Sequence, residues 1–371
     1  MILAYYVIIC VFSLMCCVAF YFIKRSYFST RYTMIFLLAF LSQLCYVLLA
    51  LSQNVREALI IYKFLYIGGC FLPLTGLLLV FSICDIEPPK WVRFIMLAFT
   101  AGIYLLVLSA GYSPLFYKNV DIEFENGVTV LVKEYGPLHN LFYVEIGLFL
   151  VITLFVLIYG WIKKPNVSRK NLMIAAFMQI FSIFAFFLGR LINKDIEWMA
   201  LADLVDEIGF LVIMNSIGLY RVDVMVGSSI FEGGEFGYIA LDFRKRYLSA
   251  TDVAKRFFPE IRKNRVDHEI EDEKLSQLCD QWIEDFKRKN VSRYHHFRKG
   301  EFIYLIRVSD LYDGRQKRGY LLEISDDTAH QQHLDGIERY NKNLNAELNA
   351  KTKLIRQLRE SAKKVTHQRP E

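Results

Sequence analysis

Seven long apolar runs fill the first 220 residues of this 371-residue chain. They lie at residues 2–23, 34–51, 58–83, 94–112, 138–161, 172–192 and 198–220. Each run comes near the ~20 residues with which an α-helix crosses the hydrocarbon core of a bilayer. Because lipid offers no hydrogen-bond partner to free backbone groups, the runs predict an all-α transmembrane bundle of seven helices within residues 1–221.

Basic residues in the connections predict the orientation of this bundle. The connections after the first, third, fifth and seventh runs contain Lys24, Arg25, Arg31, Lys90, Arg93, Lys163, Lys164, Arg169, Lys170 and Arg221. The alternate connections contain Arg56, Lys118, Lys133 and Lys194. Because cytoplasmic connections are enriched in lysine and arginine, we expect a multi-pass protein of the cell membrane with its N-terminus outside and its C-terminus in the cytoplasm.

The longest outer connection, at residues 113–137, contains a hairpin signal. The segments VDIEF and VTVLV largely alternate side chains on either side of Asn126-Gly127. Asn-Gly between two such segments favours a two-residue turn. The pattern predicts a β-hairpin over the outer end of the bundle.

Six ionisable side chains lie within the predicted membrane helices, where charge is costly and usually faces a cavity or a partner. These candidates for ligand binding are Lys63, Glu145, Arg190, Asp203, Asp206 and Glu207. The three acids of the last run have i, i+3, i+4 spacing and therefore share one helix face. His139 and Gln179 are further candidates for the same region.

Two interpretations of these charges stay open. In the first, interhelical pairs, such as Lys63 with an acid of the last run, only fix the register of the helices. In the second, a polar pocket beneath the hairpin binds a small ligand or senses protons. A single ion pair would satisfy the first interpretation, whereas three acids on one face exceed what it needs, so neither interpretation is preferred.

Beyond a glycine- and serine-rich linker at residues 222–235, the chain has the composition of a soluble domain. Residues 236–330 have a pattern of two strands, helices and three strands. A helical stripe contains Leu275, Leu278, Trp282 and Phe286, and tight turns are predicted at Lys299-Gly300 and Asp313-Gly314. The order predicts a small α+β domain with an antiparallel sheet.

This domain resembles a PAS domain. The segment GYIALD, from Gly237 to Asp242, is similar to the opening strand of that family. Ser325-Asp326-Asp327-Thr328 is similar to the D-x-T ending that closes the last PAS strand before an exit helix. The resemblance implies a domain that relays a signal into the helix that follows.

The membrane half resembles the seven-transmembrane N-terminal sensor region of bacterial histidine kinases. The segment YGPLHNLFY, from Tyr135 to Tyr143, opens the fifth run much as a Tyr-Gly-Pro-Leu segment does in that family. The order of seven runs, an exit at Tyr220-Arg221 and a PAS-like domain agrees with it. The resemblance implies a sensor for an extracellular or membrane stimulus.

Residues 331–371 repeat in sevens. One position of the repeat contains Leu334, Asn341, Leu348, Ile355 and Ala362, and the other contains Ile337, Leu344, Lys351, Leu358 and Val365. Such a repeat predicts a parallel coiled coil in a homodimer, and a single core asparagine favours two strands. The dimer contacts predicted are Leu334, Ile337, Asn341, Leu344, Leu348, Ile355 and Leu358. The alternative is a single amphipathic helix folded back on the sheet.

The sequence carries no motif for a nucleotide, a metal or a cofactor, and no cyclase or phosphohydrolase pattern. With a net charge of +6 and no basic block, nucleic-acid binding is not expected. The chain as it stands is therefore expected to be a receptor without its own catalysis, which acts on an output domain or a partner protein. Alternatives are a transporter or channel with a regulatory domain, or the truncated sensor of an HD-type cyclic-dinucleotide phosphohydrolase.

Overall fold

The computed structural model describes residues 1–23, 30–187, 196–217, 220, 236–288, 294–313 and 316–366. Within them, seven long helices precede the α+β region. They are α1 Ile2–Ile23, α2 Thr30–Leu51, α3 Val55–Ile83, α4 Lys90–Leu108, α5 Asn140–Lys163, α6 Arg169–Phe187 and α7 Trp198–Ile217. Six are long and apolar enough to cross a membrane, and α7 differs in carrying three acidic residues. The predicted multi-pass helical bundle is thus confirmed.

Capping residues, prolines and glycines set the ends of these helices more closely than the limits of the apolar runs do. The Asn54 side chain accepts a 2.9 Å hydrogen bond from the Glu57 amide, so α3 begins three residues before the apolar run. The helix α4 follows Pro89 directly and ends at Leu108, four residues before the end predicted for it. Gly111 has a φ of 81°, which helical backbone does not adopt.

The bundle has a buried core and an apolar outer surface. Phe36, Leu172 and Ile213, from α2, α6 and α7, are almost completely buried against one another's helices. Other large apolar side chains are exposed on the outside, among them Phe94 and Phe155. An apolar exterior around an apolar core is the arrangement that a lipid environment requires.

The predicted hairpin is present. The strands β1 Tyr117–Glu125 and β2 Val128–Tyr135 pair in antiparallel fashion. Asn126 and Gly127 both have positive φ, 50° and 79°, as a two-residue primed turn requires. Thr129 fixes the hairpin to the bundle, because its hydroxyl donates a 2.5 Å hydrogen bond to the Ser52 carbonyl oxygen between α2 and α3.

The second half is an α+β domain, as predicted. Its elements are β3 Phe236–Asp242, β4 Tyr247–Ala250, α8 Asp252–Phe257, a 3-10 helix Pro259–Lys263, α9 Glu273–Lys287, β5 Tyr294–Lys299, β6 Phe302–Asp313 and β7 Gln316–Asp326. The five strands form one antiparallel sheet in the order β4-β3-β7-β6-β5. Leu275 and Trp282 of the predicted stripe are buried under this sheet, and Leu278 and Phe286 pack beside them. Gly300 makes the predicted turn with a φ of 64°; residue 314 lies outside the described residues.

A single 39-residue helix, α10 Thr328–Thr366, leaves the end of β7. Side chains 332–359 are exposed, including Leu344 and Leu348. The helix is therefore not folded back on the sheet. The coiled coil stays a prediction, since a single copy has no second helix to pair with.

The α+β domain contacts the bundle at two places. The Arg318 guanidinium of β7 donates a 3.0 Å hydrogen bond to the Asn215 side-chain oxygen of α7, and the loop before α9 makes the other contact. Asp267, in the loop before α9, accepts a 2.6 Å hydrogen bond from the Ser168 hydroxyl between α5 and α6. It also accepts from the Tyr220 hydroxyl, just beyond α7, at 3.1 Å. The Val266 amide donates to the Pro165 carbonyl oxygen at 3.3 Å. One carboxylate thus joins two parts of the bundle to one loop of the domain.

Candidate functional site

A cavity of about 590 Å³ lies inside the bundle. Helices α2, α3, α5, α6 and α7 line it, and the hairpin contributes Lys133 and Tyr135. Its polar lining side chains are Ser42, Tyr46, Tyr62, Tyr66, Lys133, Tyr135, His139, Tyr143, Thr153, Gln179, Ser182, Glu197, Asp203, Asp206 and Glu207. The volume lies within the ~300–1,000 Å³ typical of small-molecule sites.

Missing side chains create part of this space. At Gly76 in α3 and Gly147 in α5, a Cβ atom would meet nothing within 4 Å. Both glycines line the cavity. Glycine inside a helix costs roughly 0.5–1 kcal/mol relative to alanine. The two glycines therefore lower the stability of their helices and leave space in the cavity.

The proline in α3 adds a polar feature to the same wall. Pro73 has no N–H, so the carbonyl of Gly69 lacks the helical hydrogen bond that it would otherwise accept. Both residues line the cavity. The wall of α3 therefore combines an apolar surface with a backbone acceptor.

The three acids of α7 lie together on the cavity, as their spacing predicted. Glu207 is completely buried, and its Oε1 accepts a 2.9 Å hydrogen bond from the Ser13 hydroxyl of α1. Asp206 Oδ2 accepts one of 3.2 Å from Ser182 of α6. The other oxygens, Asp206 Oδ1 and Glu207 Oε2, have no hydrogen-bond partner among the described residues. Asp203 lines the same wall and stays partly accessible.

The remaining predicted residues lie elsewhere. Lys63 is outside the cavity, with its Nζ 4.7 Å from the centre of the Tyr112 ring, so it does not approach the acids of α7. Glu145 is completely buried in α5 and is not a lining residue; neither of its carboxylate oxygens has a partner among the described residues. Arg190 lies outside the described residues.

An aromatic cluster forms the hairpin end of the cavity, and the sequence reasoning missed most of it. The Lys133 ammonium donates a hydrogen bond to the Tyr62 hydroxyl and lies 4.3 Å from the centre of that ring. The Tyr66 and Tyr117 hydroxyls are 2.7 Å apart. The i, i+4 spacing of Tyr62 and Tyr66 was a usable signal, because it places both rings on one face of α3.

His139 lies within this cluster, and the cavity also includes Gln179, so both secondary candidates line it. The His139 ring is 4.1 Å from the Tyr135 ring and 4.9 Å from the Tyr143 ring, measured between centres. It is almost completely buried, and its Nδ1 has no partner among the described residues. The cavity thus has an aromatic end at the hairpin and an acidic wall on α7.

Comparison with known families accounts for the membrane half. A family model described as the N-terminal 7TM region of histidine kinase matches residues 6–214, more than half of the chain. The match includes α2 to α6, the hairpin and every lining residue of the cavity. No curated protein matches the chain. This chain belongs to the family of N-terminal seven-transmembrane regions of histidine kinases, and its bundle is a membrane sensory module of that family.

Proposed function

We propose that this protein is a signal-transduction receptor in which the bundle detects an extracellular or membrane stimulus and a homodimer relays it to an output domain or a partner protein. Family membership supports the sensory half of the proposal. It does not favour the transporter or channel interpretation. The relay half is argued from contacts between the bundle, the sheet and α10.

The observation that carries the relay is the pair of hydrogen bonds received by Asp267. Ser168 precedes α6, and Tyr220 follows α7, the helix with the three cavity acids. A shift of α7 against α6 changes the distance between these two hydroxyls. Asp267 cannot keep both hydrogen bonds when that distance changes, so it either moves or loses one.

The same loop is attached to the sheet. The Asp267 amide donates a 2.8 Å hydrogen bond to the Tyr247 carbonyl oxygen, and the Tyr247 amide donates to the His268 carbonyl oxygen at the same distance. Tyr247 opens β4, an edge strand. Movement of the Asp267 loop is therefore passed to β4 and its neighbour β3.

The sheet delivers the movement to α10. In the sheet order β7 is adjacent to β3, and β7 leads directly into α10. Two strands, helices and three strands in one antiparallel sheet support a PAS-like domain, as does the Asp326-x-Thr328 ending. We infer that this domain acts mechanically, between the bundle and the helix.

The exposed apolar side chains of α10 support a dimer. Leu334, Ile337, Leu344, Leu348, Ile355 and Leu358 are between 42% and 62% exposed. Their heptad spacing suits the same helix of a second copy, and Asn341 favours a two-stranded pair. Packed helices switch between discrete arrangements, so a change at the base of the coil reaches its far end.

Cysteine cross-linking of the full chain in membranes tests this proposal. We expect Leu348→Cys, at a predicted core position, to cross-link between copies, and Lys353→Cys, on the outer face, to remain monomeric. Ser168→Ala removes one hydrogen bond to Asp267 and should alter cross-linking at positions 334 to 358, whereas Ser309→Ala, within the sheet, should not. Equal cross-linking at both faces would overturn the predicted coiled-coil dimer. An absence of any effect of Ser168→Ala would overturn the relay through Asp267.

A further inference from the structure

We propose that the bundle cavity binds a small organic cation, with an ammonium group among the α7 carboxylates and an apolar body against the aromatic end. The inference rests on the proposed function, since it names the class of stimulus that the sensor detects. It goes beyond that function because neither the family nor the fold specifies a ligand.

The charge of the lining favours a cation. The described lining residues include four carboxylates, Glu197, Asp203, Asp206 and Glu207, and a single lysine, Lys133. Lys133 lies at the hairpin end, where it is held by the hydroxyl and the ring of Tyr62. The wall formed by α7 is acidic, so an anionic ligand would be repelled there.

Two carboxylate oxygens on the α7 wall lack a hydrogen-bond donor. Glu207 Oε2 and Asp206 Oδ1 are buried and have no partner among the described residues. The effective cost of a buried unpaired charge is several kcal/mol, and a hydrogen-bonded counter-charge offsets it. An ammonium group carries up to three N–H donors and one positive charge. The Gly69 carbonyl, freed by Pro73, is another acceptor on the lining.

The aromatic end of the cavity, at the hairpin, suits an apolar or aromatic body. The Tyr66 and His139 rings each meet the Phe142 ring edge to face, with ring centres 4.9 Å and 6.2 Å from it. Rings in this arrangement offer flat apolar surfaces and tolerate a nearby cation, as Lys133 over Tyr62 illustrates. A ligand with an aromatic ring and a terminal amine matches both the aromatic end and the acidic wall.

The test uses the full chain in nanodiscs of phosphatidylglycerol, a lipid without an amine. Three probes of similar size are compared by their effect on the unfolding temperature: 2-phenylethylammonium, 2-phenylethanol and 3-phenylpropanoate. We expect concentration-dependent stabilisation by the ammonium and none above the lipid-partitioning background by the other two. Equal stabilisation by the alcohol or the carboxylate, or none by the ammonium, would overturn the proposal.

Variants assign the effect to the cavity. Asp203→Asn combined with Asp206→Asn should weaken the response to 2-phenylethylammonium at least tenfold. Glu145→Gln is the matched control, since it removes a buried carboxyl of the same bundle that does not line the cavity. An equal loss in both variants would assign the effect to general bundle stability and overturn the site. A pH-dependent unfolding temperature that the ammonium does not change would identify proton binding instead.

A soluble amine and the amine of a lipid headgroup share this chemistry, and one further arm separates them. Adding phosphatidylethanolamine to the nanodiscs should reduce the response to 2-phenylethylammonium if the headgroup enters the cavity. An unchanged response assigns the site to a soluble amine. Failure of binding leaves the relay intact, because the Ser168→Ala cross-linking result does not depend on the probe.

Discussion

The Thr328 hydroxyl donates a 2.5 Å hydrogen bond to the Asp326 carboxylate and accepts one of 2.9 Å from the Ile303 amide. Asp326 ends β7, Thr328 begins α10 and Ile303 lies in β6, so one side chain joins two strands and a helix. Asp327 adds a second connection, since its carboxylate accepts from Gln331 at 2.8 Å and contacts His296 of β5 at 3.2 Å. The start of α10 is therefore held by the sheet through side chains as well as through the backbone.

Thr328→Val should loosen this joint while keeping the shape of the side chain. Two hydrogen bonds are lost, at about 0.5–1.5 kcal/mol each. We expect hydrogen exchange of the Ile303 amide and of the first turn of α10 to accelerate by about 5- to 150-fold, the factor that corresponds to about 1–3 kcal/mol. Thr352→Val on the exposed part of α10, where the hydroxyl bonds the Leu348 carbonyl oxygen, is the control and should leave both unchanged.

Gly136→Ala should destabilise the hairpin. A Cβ atom at Gly136 would lie 2.4 Å from the carbonyl oxygens of Pro114 and Leu115, so the backbone has to move. Overpacking of this kind typically costs 1–3 kcal/mol. Gly147→Ala is the matched control, because its Cβ meets nothing within 4 Å and alanine favours a helix. Thermal unfolding in nanodiscs should show a lower midpoint for the first variant only; equal midpoints would contradict the packing at Gly136.

Cys279 should resist thiol reagents in the folded domain. It is buried in α9, and burial, together with the charge of neighbouring Asp280, raises the pKa of its thiol to about 12. At pH 8 only about one thiol in ten thousand is then ionised, and the thiolate is the reactive form. Iodoacetamide followed by peptide mass spectrometry should find Cys279 unmodified until urea unfolds the domain. Rapid modification without urea would show that α9 does not cover it.

The proposed orientation places the hairpin outside the cell and α10 in the cytoplasm. Glu123→Cys in the exposed part of β1 should react with an impermeant maleimide on intact cells. Lys353→Cys on α10 should react only after the membrane is permeabilised. Labelling of Lys353→Cys on intact cells would reverse the proposed orientation, and labelling of neither would show that the hairpin is covered.

The sequence was sufficient for features that depend on neighbours along the chain. Apolar runs identified the helices, Asn126-Gly127 the hairpin, and i, i+3, i+4 spacing the acidic face of α7. The predicted helix ends were less accurate, because hydropathy marks only the part of a helix that lies in lipid and not its polar first and last turns. The start of α4 at Lys90 is set instead by Pro88-Pro89, because the residue before a proline is biased away from helical backbone and Pro89 itself has an extended ψ of 148°.

Features that depend on distant contacts were not predictable. Lys63 and Lys133 both lie near the same end of the bundle. Lys133 lines the cavity, and Lys63 does not. The difference arises from which face of α3 packs inward and from the register of the hairpin. The contact of Ser168 with Asp267 joins residues 99 positions apart and has no local signature. The room made by Gly76 and Gly147 likewise depends on the helices that face them.

The length of α10 has a mechanical consequence. At 1.5 Å per residue, a helix of 39 residues is about 58 Å long. Tilting such a rod by about 5° at its base displaces its tip sideways by about 5 Å, close to the pitch of one helical turn. In the proposed relay the β7–α10 junction would therefore be the fulcrum of a lever, and a tilt of a few degrees there would move the far end of α10 by several ångströms.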